Sequence, residues 1–366
     1  MTSLELRNVS KGFKSGKVLD DVSLSVKAGE IVVVFGPSGT GKTVLLRIVA
    51  GVQYPDAGSV AIDGADVTDA SPEARGIGMA FQNFALFPHF STFDNIASPL
   101  QARGTPAAKL KDQVAAIARM LKIDHVLGHA PRELSNGQKQ RTALARALVA
   151  QPKVLLLDDP LRNVDAKLRY EMRLELPRLL RTFNAAVIYV TQDYKEAMAL
   201  GDHIAVLRGG RIEQWATPAS VYREPVSIEV ARLFGDPTIN LLPCKLEMNG
   251  AGGHIGLFGR NVPVSGAYAH AAGRDLIAGL RPEHVLVMEN EASDTIPFEL
   301  DAVMPVNVRS VLYLRGPGGE EMLATVGETE AGKFGRGHRK VWVRFAPESL
   351  LLFDAASGQR VAPQLH

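Results

Sequence analysis

Residues Gly36–Thr43 read GPSGTGKT and follow the apolar run EIVVVF. The spacing G-x-x-x-x-G-K-T after an extended segment, with the helix-forming VLLRIVAG behind it, predicts a strand–loop–helix unit built around a phosphate. Gly36, Gly39 and Gly41 let successive backbone N–H groups converge on phosphate oxygens. The N-terminus of the helix adds the positive end of a dipole. Pro37, Ser38 and Thr40 complete the loop, Lys42 is expected to reach the terminal phosphates, and the Thr43 hydroxyl to coordinate Mg²⁺. The loop is read as the seat of a nucleoside triphosphate.

VLLLDDP, Val154–Pro160, is an apolar run ending in two aspartates, as expected of a buried strand whose carboxyl end delivers acids to a site. IGMAFQ, AVIYVT and HIAVLRGGRIEQW are further strand candidates, and their continuous apolar stretches suit parallel strands covered on both faces. KLKDQVAAIARMLKI and GQKQRTALARALVA carry helical periodicity, so residues 92–150 read as a helical insertion in an α/β core. Ser135 and Gln138 form an S-x-x-Q capping box at the start of the second of these helices. Beyond FGDPTINLLP, turns such as NGAGG and RGPGGEE separate short alternating runs, which suggests a small all-β barrel or sandwich. The predicted division is 1–235 and 236–366.

The chain has 366 residues and a formal charge of +2, without the clustered basic face of a nucleic-acid binder. A single cysteine, Cys244, excludes an internal disulfide framework. No apolar run approaches the roughly 18 residues of a membrane span, and the N-terminus lacks a secretory pattern. A soluble protein is expected, with any membrane role borrowed from partners.

The order of GPSGTGKT, FQNFALFPH, LSNGQ, VLLLDD, NVD and TQD resembles the ATP-binding subunit of an ABC transporter. FGDPTINLLP, GLRPEHV and VRFAPESLLLFDAASGQR extend the resemblance to the carbohydrate and polyol importers of the maltose-importer type, over essentially the whole chain. It implies an α/β P-loop ATPase domain with a helical subdomain, then a small OB-fold-like regulatory domain. It implies ATP and Mg²⁺, with Thr43, Gln82 and Asp158 at the metal. For Phe13 two readings stay open, an aromatic stacked on adenine or a core residue. Ser135, Asn136, Gly137 and Gln138 would serve the nucleotide of a second ATPase subunit, and Asp165 would lie in the loop that crosses to it. Two membrane permease subunits and a solute-binding protein are implied, at the cytoplasmic face of the cell membrane, with a coupling surface near Gln82 and residues 84–96. The apolar FALFPHF serves such a contact or a core equally well. Direct solute contact and nucleic acid are not expected.

Four positions depart from that family's pattern. Asp159 stands where glutamate polarises the attacking water. Gln192 stands where a histidine contacts the γ-phosphate, and its amide cannot become cationic. Asn136 replaces a glycine, with tolerance of left-handed angles expected to preserve the turn. Arg162 replaces a common serine. The shorter Asp159 carboxylate reaches the water loosely or through a second water. Together with Gln192, it predicts weakened hydrolysis and pairing with a non-identical ATPase chain. Glycerol, another polyol or a sugar is the substrate class favoured by resemblance. The alternatives are an anion or metal importer, a non-hydrolysing nucleotide-binding partner, or a nucleotide switch outside transport.

Overall fold

The computed structural model describes residues 2–14, 16–249, 252–335 and 339–364. It divides into two compact units, residues 1–220 and 221–366.

The centre of the first unit is a six-stranded sheet. Its order is Arg211–Ala216, His203–Arg208, Ile31–Phe35, Ala186–Thr191, Val154–Asp158 and Gly78–Ala80. All neighbours are parallel except the edge strand Arg211–Ala216, which returns antiparallel. Ile31–Phe35, Val154–Asp158 and Ala186–Thr191 are buried at every residue. Parallel strands covered on both faces need such unbroken apolar runs. Val32, Val34, Leu156, Ile188 and Leu207 join Leu45 and Ile48 of the helix Lys42–Val49 in one core.

A four-stranded antiparallel sheet, Gly16–Lys27, Thr2–Phe13, Ala57–Ile62 and Ala65–Asp66, packs into the same core through Leu4, Leu6, Leu24 and Val60. Residues 92–150 contain the helices Thr92–Ala102, Ala107–Met120 and Asn136–Leu148.

The second unit is built on two antiparallel sheets. One sheet runs Arg260–Val264, Gly252–Leu257, Asn240–Asn249, Asp275–Leu280, Leu351–Asp354 and Arg360–Val361. The other runs Val285–Met288, Arg339–Phe345, Ile296–Val306, Arg309–Arg315 and Glu321–Gly327. Both contribute to a single core containing Leu246, Leu280, Phe298, Leu312 and Val341. RGPGGEE turns between two strands, with Gly316 N–H donating to the Glu320 carbonyl at 2.8 Å. In NGAGG, Gly250 and Ala251 lie outside the described residues.

The units meet at Ser220/Val221, ahead of the boundary at 235 read from sequence. The helix Ile228–Leu233 accounts for the difference, because Ile228 and Ala231 pack on Ile239 and Phe353 of the β unit. Ile228 N–H donates to Gly358 O and Arg360 N–H to Val226 O, at 2.9 and 2.8 Å. Among the described residues no helix is long and apolar enough to cross a membrane.

Candidate functional site

Phe35, Asp158 and Thr191 end three adjacent parallel strands, so the segments that follow them leave from one edge of the sheet. Open α/β sheets bind ligands at that edge. A cavity of about 260 Å³ lies there, with Lys42, Thr43, Gln82, Asp158, Asp159 and Gln192 in its wall. A cleft of about 700 Å³ in the second unit is larger. Its Arg315 and Arg339 are already paired with Asp301 and Glu289, so the smaller cavity is the better chemical candidate.

The loop is shaped by backbone. Gly41 sits at φ 100°, and a Cβ there would lie 2.9 Å from Leu19 Cδ2 and 3.0 Å from the Val18 carbonyl oxygen. Thr40 Oγ1 donates to Pro37 O at 3.0 Å. Lys42 Nζ donates to Gly36 O and Pro37 O at 2.8 and 2.6 Å, so the ammonium is folded over the loop. Burial pushes its pKa down, opposed by the carboxylates of Asp159 and Asp158.

Thr43 Oγ1 and Asp158 Oδ1 are 3.4 Å apart, and Gln82 shares the cavity with them. Hydroxyl, carboxylate and amide oxygens suit Mg²⁺. Among the described residues no group of three or more His, Cys, Asp or Glu gathers for a metal. Thr43, Asp158 and Gln82 offer few protein oxygens, which fits an ion that takes its remaining ligands from phosphate and water, as Mg²⁺ commonly does.

Asp159 turns the chain sharply at φ 44°, in the left-handed region that Asp enters more readily than most residues. Its N–H is held by Val190 O at 2.9 Å. Its carboxylate is 12% exposed and lies 3.5 Å from the guanidinium of Arg162, which is 46% exposed. Burial pushes the carboxyls of both Asp158 and Asp159 up, with Arg162 opposing the shift at Asp159. Ser38 Oγ donates to Gln192 Oε1 at 3.4 Å. The Gln192 turn is framed by Glu196, whose buried carboxylate accepts from Tyr189 Oη and Thr191 Oγ1 at 2.7 and 3.0 Å.

The capping box at LSNGQ is present. Ser135 Oγ accepts from Gln138 N–H at 3.3 Å, and Gln138 Oε1 accepts from Ser135 N–H at 2.9 Å. Asn136 needs no left-handed tolerance, contrary to expectation. It is the first residue of the helix and is not among the residues of positive φ. A Cβ at Gly137 would lie 2.2 Å from Leu168 Cδ2, the tip of a half-buried side chain that would have to turn aside. Asp165 caps the helix Ala166–Arg181, its Oδ1 accepting from Leu168 N–H at 3.0 Å.

Phe13 is exposed at the end of its strand, which removes the core reading, and it is not part of the cavity wall, where Val18 stands instead. Within FALFPHF, Phe87 and Phe90 are likewise exposed and Phe84 and Leu86 are half-buried, so none of its large apolar residues lies in a core; Phe81 just before it is exposed as well.

Three clamps were not foreseen. Arg146 donates to Ala85 O and Phe84 O, Asn163 to Gln82 O, and Arg169 to Leu161, Arg162 and Val164 carbonyls. For the first two, the partners lie 61 to 81 positions away, and side chains that satisfy distant backbone leave no local pattern.

The comparisons with known proteins agree with this geometry. Residues 19–162 match the ABC transporter family and residues 235–285 match the MalK OB fold domain. The sn-glycerol-3-phosphate import ATP-binding protein UgpC of Shigella boydii serotype 4 (strain Sb227) is 40% identical over 364 residues, covering 99% of this chain and 100% of the relative. Its counterpart in Escherichia coli (strain K12) is also 40% identical, with the same coverage. This chain belongs to the ATP-binding subunits of ABC transporters. An ATP-binding cassette solved as a dimer in a post-hydrolysis state, bound to ADP and Pi, is 30% identical with a TM-score of 0.53. That match covers 59% of this chain and 98% of the other. Membership in the ABC ATP-binding subunits implies ATP binding.

Proposed function

We propose that this subunit binds Mg²⁺-ATP in the cavity above Phe35, Asp158 and Thr191 and works with permease subunits to import a polyol, polyol phosphate or sugar. Glycerol 3-phosphate and glycerol lead, because full-length relatives at 40% identity are named for glycerol-3-phosphate import. The observation that carries the reading is the joining of Lys42, Thr43, Asp158 and Asp159 in one cavity at the end of a parallel sheet.

The loop Gly36–Gly41 would hold the phosphates through backbone N–H groups, and Lys42 would exchange its loop carbonyls for terminal phosphate oxygens. Thr43, Asp158 and Gln82 would hold Mg²⁺, which supplies charge neutralisation at the phosphates when bound. Asp159 is assigned the attacking water and Gln192 the γ-phosphate. The backbone of Asp159 is tied to Val190, so the chain cannot advance to make up for the shorter side chain. A misplaced carboxylate costs on the order of 100-fold in rate. Weakened hydrolysis follows, and with it a second, non-identical ATPase chain whose own site carries the faster turnover. Ser135–Gln138 would complete that chain's site, and Asp165 would lie at the join. The exposed Phe81, Phe87 and Phe90, beside Gln82, suit a permease contact at the cytoplasmic membrane face.

Deleting this chain from its host and assaying uptake of labelled glycerol 3-phosphate, glycerol and maltose tests the transport reading. Loss of glycerol 3-phosphate or glycerol uptake is expected, and retained uptake of all three overturns it. Mass spectrometry of the purified complex tests the pairing, for which two unlike ATPase masses are expected. A complex holding two copies of this chain refutes it.

A further inference from the structure

Two cations stand in the wall of the cavity, Lys42 and Arg162. Lys42 belongs to the phosphate loop. Arg162 has no part in the assignments above, yet its side chain lines the cavity beside Asp159. The loop that carries it is fixed from several directions. Arg162 N–H donates to Asp159 O at 3.2 Å. Arg169 donates to the carbonyls of Leu161, Arg162 and Val164 at 3.1, 3.1 and 3.0 Å. Asn163 Nδ2 donates to Gln82 O at 2.8 Å.

On that rigid turn the Arg162 guanidinium lies 3.5 Å from the Asp159 carboxylate, longer than a good hydrogen bond. The contact aims the side chain at the cavity while leaving its donors available. Gln192, on the neighbouring strand end, offers a neutral amide to the same space. Phosphoryl transfer depends mainly on positive charge set around the three γ-oxygens, and a guanidinium suits that role.

We propose that Arg162 contacts the γ-phosphate of ATP bound in its own chain and supplies the positive charge that position 192 lacks. The inference rests on the reading of the cavity as an ATP site. In hydrolysis the water oxygen bonds to the γ-phosphorus while the bond to the β–γ bridging oxygen breaks. That electron pair leaves on ADP, and a water proton passes to Asp159. Arg162 forms and breaks no covalent bond; it offsets charge on the γ-oxygens throughout.

A binding measurement tests this without requiring fast turnover. Titrating the full-length protein with Mg²⁺-ATP and, separately, Mg²⁺-ADP compares ligands that differ only by the γ-phosphate. Arg162→Gln is expected to weaken ATP about tenfold, the loss of one charge-assisted contact, and ADP by less than about twofold. Arg162→Lys should fall between. Adding Gln192→His to Arg162→Gln should restore part of the preference for ATP. Equal weakening of both nucleotides, or of neither, with thermal unfolding unchanged, overturns the proposal and leaves the ATP site standing. A wild-type chain that binds neither nucleotide overturns the site reading itself, and this inference with it.

Discussion

Arg146 Nη1 donates to the Ala85 carbonyl oxygen at 2.7 Å, tying the helix that begins at LSNGQ to the loop that carries Gln82. Its Nη2 reaches Phe84 O at 3.1 Å. Phe84 and Ala85 are both left-handed, at φ 64° and 47°. Such backbone persists only when its surroundings over-determine it. Burial pushes the Arg146 pKa down, but the carbonyls keep its donors satisfied.

Arg146→Ala should therefore release the loop and cost about 2–3 kcal/mol, from two hydrogen bonds of a charged donor. For a unit of this size that is a fall of roughly 5–10 °C in Tm. Hydrogen exchange should quicken at residues 83–86 before the strand Val154–Asp158 is affected. A variant with unchanged exchange in that loop would show that Arg146 does not hold it.

Asp159→Glu with Gln192→His should raise ATP turnover at this site by about 10–100-fold, since the carboxylate's reach is restored and a histidine adds to the charge that Arg162 supplies. Glutamate tolerates the left-handed angle at residue 159 less well than aspartate, so a penalty of about 1 kcal/mol should accompany the gain. Steady-state phosphate release at saturating Mg²⁺-ATP is the check. Unchanged turnover would remove the claim that this site is weakened.

Glu196 is buried beneath the Gln192 turn. Burial pushes its carboxyl up from 4.5, against the lowering by the Tyr189 hydrogen bond, with Asp193 adding to the rise. The protonated form is thus favoured by folding. Its stabilising contribution is complete below 4.5 and declines as pH climbs through the raised value. Glu196→Gln stays neutral throughout, so its Tm relative to the wild type should rise between pH 4.5 and 7.5. A difference that stays flat or falls across that window would contradict the assignment.

Cys244 lies half-buried in the β unit, where burial pushes its thiol up to about 11, offset in part by a hydrogen bond with the backbone of Ala278. At pH 8 the thiolate fraction is then about one in a thousand. Disulfide reagents should label the native protein at least about 100-fold more slowly than a free thiol at that pH. The rate should climb about tenfold per pH unit up to pH 10. A plateau near pH 9 would place the thiol in an ordinary environment.

The nucleotide loop, the positions of the buried strands and the change to β structure near residue 235 are written in local patterns, because each depends on neighbours within a few residues. GPSGTGKT carries its own turn chemistry, and VLLLD and AVIYVT carry the unbroken apolarity of strands covered on both sides. Ser135 and Gln138 announce a helix start for the same reason. Tertiary structure alone decided the rest. That Ile228–Leu233 serves the second unit depends on Phe353, and that Arg162 faces Asp159 depends on how Arg169 gathers three carbonyls. Asn136 needs none of the left-handed tolerance that its place in LSNGQ suggests, because the chain has already entered the helix there. Contacts between side chains and distant backbone satisfy hydrogen bonds without any periodic signature, so they become visible only once the chain has folded around them.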